Sequence, residues 1–147
     1  KKWEENFQRI TDANILINIH TSYNIFNCLY VNDLFDYYTK HLGHEGNLSL
    51  VPWYNPKPFT ASLAQANAEI LYKANDQLNE MQMRLGKGIK NIAWNTRELR
   101  NFLNIKWSKD QLEHQKTRFV KSISKFDQLR GTNFVETFPE LRCLYEN

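Results

Sequence analysis

Long apolar runs are missing from this chain. The longest, Ile15 to Ile19, has Asn18 inside it, whereas roughly 20 apolar residues are needed to cross a bilayer. Neither a membrane span nor a cleavable leader is therefore expected. Cysteine is scarce: Cys28 and Cys143 are the only two, so a framework of several disulfides is excluded. Free, mostly buried thiols in a reducing compartment, cytoplasm or nucleus, are the expectation instead. Glycine and proline are sparse at five and four residues, and three of the prolines crowd into one stretch. Internal repeats and low-complexity segments are absent.

Chemical motifs are equally thin. Gly86-Lys87-Gly88 lacks the GxxxxGK[ST] spacing that cradles phosphate and reads as a helix–helix turn. No serine occupies a GxSxG elbow, and Cys28 falls on an aromatic helix face. Asp33/Asp36 and Glu4/Glu5 are spaced as helix-start and surface charges, not as carboxylates paired in an apolar pocket. No enzyme activity, cofactor or small-molecule substrate is expected from these patterns. Asn47-Leu48-Ser49 is a glycosylation sequon that matters only in a secreted chain.

One cluster, His41-Leu42-Gly43-His44-Glu45-Gly46, has metal-ligand residue types, with His41, His44 and Glu45 as candidates. Neither HExxH nor HxxEH is formed, and Gly43 interrupts the face. The ordinary reading is two solvent-facing histidines at a helix C-terminus, where an imidazolium suits the dipole. The six-residue string is similar to one in the insulinase-like peptidases; it covers under a tenth of the chain, no α/β pattern surrounds it, and nothing is carried over from it.

What the chain does have is helical periodicity. Its 147 residues fit one domain that buries roughly two-thirds of its unfolded surface, and a 14% aromatic share predicts a core built on rings. The organising stretch is Ser108 to Gly131. Ser108 with Gln111 forms a capping box, and Gly131 stands where a left-handed stop belongs. Between them Leu112, Phe119, Ile123 and Phe126, widened by Val120 and Leu129, make one apolar face.

Elsewhere Trp3, Phe7 and Ile10 predict a short first helix, ended near Asp12 to Asn14. Residues 14–24 fit either a strand or a helix, and the lack of an evident partner strand favours helix. Asn24 to Leu42 reads as helical, with Asp33 as a local cap. Residues 43–59 form one long Pro-rich aromatic loop. Thr60 opens the longest helix, to Leu85; a further helix precedes Asn104; and Thr137 to Glu140 reads as another capping box. The expected fold is all-α: a single-domain (1–147) antiparallel bundle of four long helices plus one or two short ones. Because the first residue is Lys1, an excised domain of a larger polypeptide or a processed chain is expected; a long heptad pattern in the flanking residues would make it the globular head of a coiled-coil protein.

Charge is unevenly spread. Residues 87–130 hold eleven Lys/Arg against four Asp/Glu, while both flanking segments are net negative. This predicts a basic helix (106–130) that, with the aromatic loop (51–59), serves a protein-interaction or scaffold domain. Lys106, Trp107, Lys109, Lys116, Arg118, Lys121, Lys125, Trp53 and Tyr54 are the expected partner-binding residues. The partner would be an acidic or amphipathic protein. The bland alternative is a solvated helix face whose Lys and Arg stems cover the core edge. A nucleic-acid-binding module using the same face is the runner-up function. A pI of 8.8 falls short of the usual mark for such modules, and no helix-turn-helix, zinc-finger or RNP signature appears. A metal-binding bundle or enzyme centred on His41, His44 and Glu45 ranks third.

Overall fold

The computed structural model describes residues 2–13, 15, 18–42, 47–53, 57–85 and 96–146. The element order is α1 (Lys2–Asp12), β1 (Asn18–Tyr23), α2 (Val31–Leu42), β2 (Asn47–Pro52), two 3-10 turns (Lys57–Phe59 and Ala61–Ala66), α3 (Ala68–Leu85), α4 (Thr96–Leu103) and α5 (Lys109–Arg130). The chain closes through α6 (Phe134–Thr137), a 3-10 turn (Pro139–Leu141) and α7 (Arg142–Tyr145).

The protein is mostly helical, but the all-α expectation holds only approximately, because β1 and β2 pair in parallel. The register runs from Asn18 opposite Asn47 to Tyr23 opposite Pro52. Two expectations are corrected here. Residues 18–23 are strand rather than helix, and the stretch taken as a loop supplies the partner strand. Parallel strands need a long crossover, and α2 provides it. The partner of β1 therefore lies beyond a whole helix, out of reach of any local pattern. Tyr23 and Leu50 face the core from this ribbon, fully and almost fully buried.

The expected helix from Asn24 begins instead at Val31, because asparagine side chains capture the preceding backbone. Asn24 Oδ1 accepts from Phe26 N at 2.9 Å, and Asn27 Oδ1 accepts from Asn24 N at 2.9 Å. Asn27 Nδ2 also donates to Ser22 O at 2.8 Å. Asp33 accordingly sits in the first turn of α2, not before it. The same residue type delays α3. Asn67 Oδ1 accepts from Glu69 N at 3.0 Å and Ile70 N at 3.1 Å, so the long helix starts at Ala68, with 3-10 turns where Thr60 to Ala66 was expected to be helical. The capping box expected at Thr137 does not form. Asn133 caps α6, and Thr137 Oγ1 donates back to Asn133 O at 2.9 Å.

Among the described elements only α3, with 18 residues, and α5, with 22, are long. An antiparallel bundle of four long helices is therefore not the architecture. The inward stripe of α3 is Ile70, Ala74, Leu78 and Met81. On α5 the capping box forms as read: Ser108 Oγ accepts from Gln111 N at 3.2 Å, and Ser108 N donates to Gln111 Oε1 at 2.9 Å. Gly131 ends it with φ 63. Phe119 and Ile123 are buried, but Phe126 and Leu129, expected inward, are 39% and 69% exposed. The helix overshoots the core at its C-terminal end.

The core is ring-rich, as the aromatic share predicts. Phe26, at the ribbon's end, has ring centroids of Phe59, Phe119, Phe134 and Phe138 within 5.3 to 6.4 Å. Three separate chain segments thus meet around one phenylalanine, in the tilted and edge-on geometries that ring quadrupoles favour. No helix among the described residues is long and apolar enough to cross a membrane.

Candidate interaction face

The basic residues of α5 divide according to the turn of the helix. His114, Arg118, Lys121 and Lys125 recur at spacings of four, three and four, so they share one face. That face lies opposite Phe119 and Ile123, and all four side chains are exposed. Lys116 belongs elsewhere: it lies on the flank nearer the core and is partly buried. Lys109 is exposed at the first position of the helix, about 13 Å along the axis from Arg118, and Lys106 is exposed in the connector before it. Of the six basic residues expected to bind a partner, Arg118, Lys121 and Lys125 therefore gather on one strip, and His114 joins them unforeseen.

Some cations elsewhere among the described residues are matched. Lys73 Nζ is 2.6 Å from Glu69 Oε1, Arg142 Nε is 3.7 Å from Glu146 Oε1, and Arg84 engages Asp36 and Glu80. The Glu69–Lys73 contact, a hydrogen bond as well as an attraction of charge, holds the Glu69 carboxyl below its ordinary value and the Lys73 ammonium above its own. Arg100 donates to Asn79 Oδ1 and Gln82 Oε1 at 2.7 and 3.2 Å. Arg118, Lys121 and Lys125 differ. No Asp or Glu stands three or four residues from any of them, and none of the ion pairs among the described residues includes them. Neighbouring like charges at these spacings cost about 0.2–0.5 kcal/mol each, a repulsion that a bound anion relieves.

The aromatic candidates are less exposed than a surface anchor would be. Trp53 and Trp107 are each partly buried, with the indole Nε1 enclosed and without a hydrogen-bond partner. Trp53 N donates to Tyr23 O at 3.0 Å, which fastens the chain after β2 onto β1. Tyr54 lies outside the described residues, as do His44 and Glu45 of the metal candidate. His41 is partly buried, 4.6 Å from the ring of Tyr37 and 6.3 Å from that of Phe7. Among the described residues no three His, Cys, Asp or Glu side chains come together as a metal site.

The Cys28 thiol does not stand in a nucleophile's setting. Cys28 is fully buried; loss of hydration pushes its pKa up to about 12, and its Sγ donates to Ile25 O at 3.5 Å. Cys143 is exposed and unpaired.

Sequence reasoning missed the exposed pair Phe126 and Leu129 and the cleft beside them, described below. The apolar period alone assigns both residues to the core; that the core ends before they do is decided by which segments arrive from elsewhere. Comparison with known proteins gives no match to any family model, curated protein or solved structure.

Proposed function

We propose that this chain is a protein-interaction module whose α5 outer face docks an acidic segment of a partner. The observation that carries the reading is the 4-3-4 strip of His114, Arg118, Lys121 and Lys125, three of them permanent cations with no carboxylate in helical reach. An acidic helix with carboxylates at matching spacings would meet all three, and long-range attraction would steer it there. Trp53 acts in this reading as a strap holding the β2 end rather than as an anchor. The unpaired thiols fit a reducing, intracellular setting.

Charge count favours protein over nucleic acid as the partner. Three phosphate contacts would give a log–log salt slope of only about −3, where proteins that rely on phosphate binding make 6–10 contacts.

The test is fluorescence anisotropy with a labelled glutamate-rich helical peptide and, in parallel, a labelled oligonucleotide. The triple variant R118E/K121E/K125E should lose the peptide while its circular dichroism stays unchanged. Peptide binding that survives this triple reversal would remove the proposal, and an oligonucleotide that binds more tightly than the peptide at physiological salt would put nucleic acid in its place.

A further inference from the structure

Where α5 outruns the core, it leaves a cleft of about 320 Å³. Phe26, Phe59, Phe126, Phe134 and Phe138 line it, with Arg130 among the rim residues. The rings stand close enough to form a continuous wall: Phe26 to Phe138 is 5.3 Å, Phe134 to Phe138 is 5.4 Å, and Phe59 stacks on Phe126 at 6.0 Å. The volume is at the small end for ligand pockets, which suits one large side chain better than a length of peptide.

The charges at the rim are not equivalent. Asp127 is already engaged, since its Oδ1 accepts from Thr132 Oγ1 at 2.8 Å and its Oδ2 from Phe134 N at 2.9 Å. Arg130 lies with its guanidinium carbon 5.3 Å over the Phe126 ring, outside every ion pair among the described residues. One planar cation with free donors therefore stands at the mouth of an aromatic hollow, and a carboxylate is the group whose geometry it matches.

The cleft also connects to the basic strip. Lys125 leads to Leu129 four residues on, Leu129 neighbours Phe126 three back, and Phe126 neighbours Arg130 four on, so each step is between adjacent positions on the helix surface. Leu129 and Phe126 are the exposed apolar residues along that path. An exposed apolar edge flanked by unmatched cations fits an amphipathic acidic partner better than a purely acidic one.

We infer that the cleft receives one aromatic side chain of the same partner. Carboxylates flanking it meet Arg130 on one side and the strip from Lys125 to Arg118 on the other. This rests on the docking reading above and adds its specificity, because the strip reads charge and the cleft reads a ring.

The experiment uses three fluorescein-labelled peptides: a glutamate-rich helix carrying one Phe, its twin with Ala for that Phe, and a twin with Gln for every Glu. Binding is followed by anisotropy with the full chain. The Phe peptide should bind about tenfold or more tightly than its Ala twin, the order expected for burying one aromatic side chain. Thr137→Trp, which fills the cleft from an exposed position, should bring the two peptides to equal affinity and leave the Ala twin's unchanged. Phe126→Ala should narrow the same ratio, and serves if the Trp variant fails to fold. Equal binding of the Phe and Ala peptides to the unaltered chain overturns the cleft proposal while leaving the strip intact. Phe-dependent binding of the Gln peptide as tight as that of the Glu peptide overturns the strip and keeps a ring-binding cleft. Binding of none overturns both.

Discussion

Asn32 and Gln77 latch α2 to α3 through three hydrogen bonds. Asn32 N donates to Gln77 Oε1 at 3.1 Å, and Asn32 Nδ2 donates to Gln77 O at 3.0 Å and to Gln77 Oε1 at 3.1 Å. Asn32 is only 5% exposed, so neither water nor a substitute side chain readily takes its place. Alanine keeps the backbone donor to Gln77 Oε1 but removes both Nδ2 bonds, to Gln77 O and to Gln77 Oε1, at a buried place. Asn32→Ala should therefore cost about 1–3 kcal/mol, read as a lower urea midpoint at unchanged m-value. A variant as stable as the parent would mean that the latch contributes nothing net.

Lys121 offers a test in which stability and binding move in opposite directions. In Lys121→Glu, two like-charge contacts on α5, with Arg118 and Lys125, become opposite-charge contacts, and the acid stands N-terminal to Lys125, the better orientation. Stability should rise by about 0.5 kcal/mol at low salt, while affinity for the glutamate-rich peptide falls. A merely solvated face predicts the first change without the second.

Gly131 closes α5 in the left-handed region, φ 63, where a Cβ would meet no other atom within 4 Å. The cost of Gly131→Ala is thus one of backbone strain alone, about 1 kcal/mol. Asn in its place should lose less, since it tolerates this conformation. Thermal unfolding of the two variants side by side checks the order.

The thiols should differ in both reactivity and pH response. Cys143 is exposed and Cys28 buried, so a thiol reagent at mildly alkaline pH should label one cysteine in the native chain and both in denaturant. Cys28 is an acid whose folded-state pKa is raised, from an ordinary 9.0 to about 12, chiefly by loss of hydration. Between those values the folded thiol keeps its proton while the unfolded one has lost it. The folded chain then binds more protons, and stability falls as pH rises through that window. Cys28→Ala should flatten that part of the stability–pH curve; an unchanged alkaline slope would assign it to other groups.

Legibility tracked the range of each interaction. The Ser108–Gln111 box and the Gly131 stop involve residues within four positions of one another, and both stand as read. The asparagine caps were equally local, yet Asn24, Asn27 and Asn67 lie inside apolar periodicity that suggests continuous helix. There the competing side-chain hydrogen bonds win over the period. The ambiguity between strand and helix at 18–23 could not be resolved locally, because Leu48 to Pro52, which settles it, lies beyond α2. At the candidate site the helical spacing already divides the charge excess, and the tertiary structure adds the exposure of each side chain. Lys116 and Lys121 are alike in composition and differ only in which side of the helix faces Phe119's neighbours.

By itself, then, the sequence determined the ends of α5, its inward stripe through Ile123 and the side of the helix its free cations share, since all follow from hydrogen bonds and periodicity inside one segment. Tertiary structure alone decided the β1–β2 pairing, the exposure of Phe126 and Leu129, and the phenylalanine cleft. Each of those depends on segments far apart in the chain meeting at one place, and the loop entropy and burial that bring them together leave no local trace.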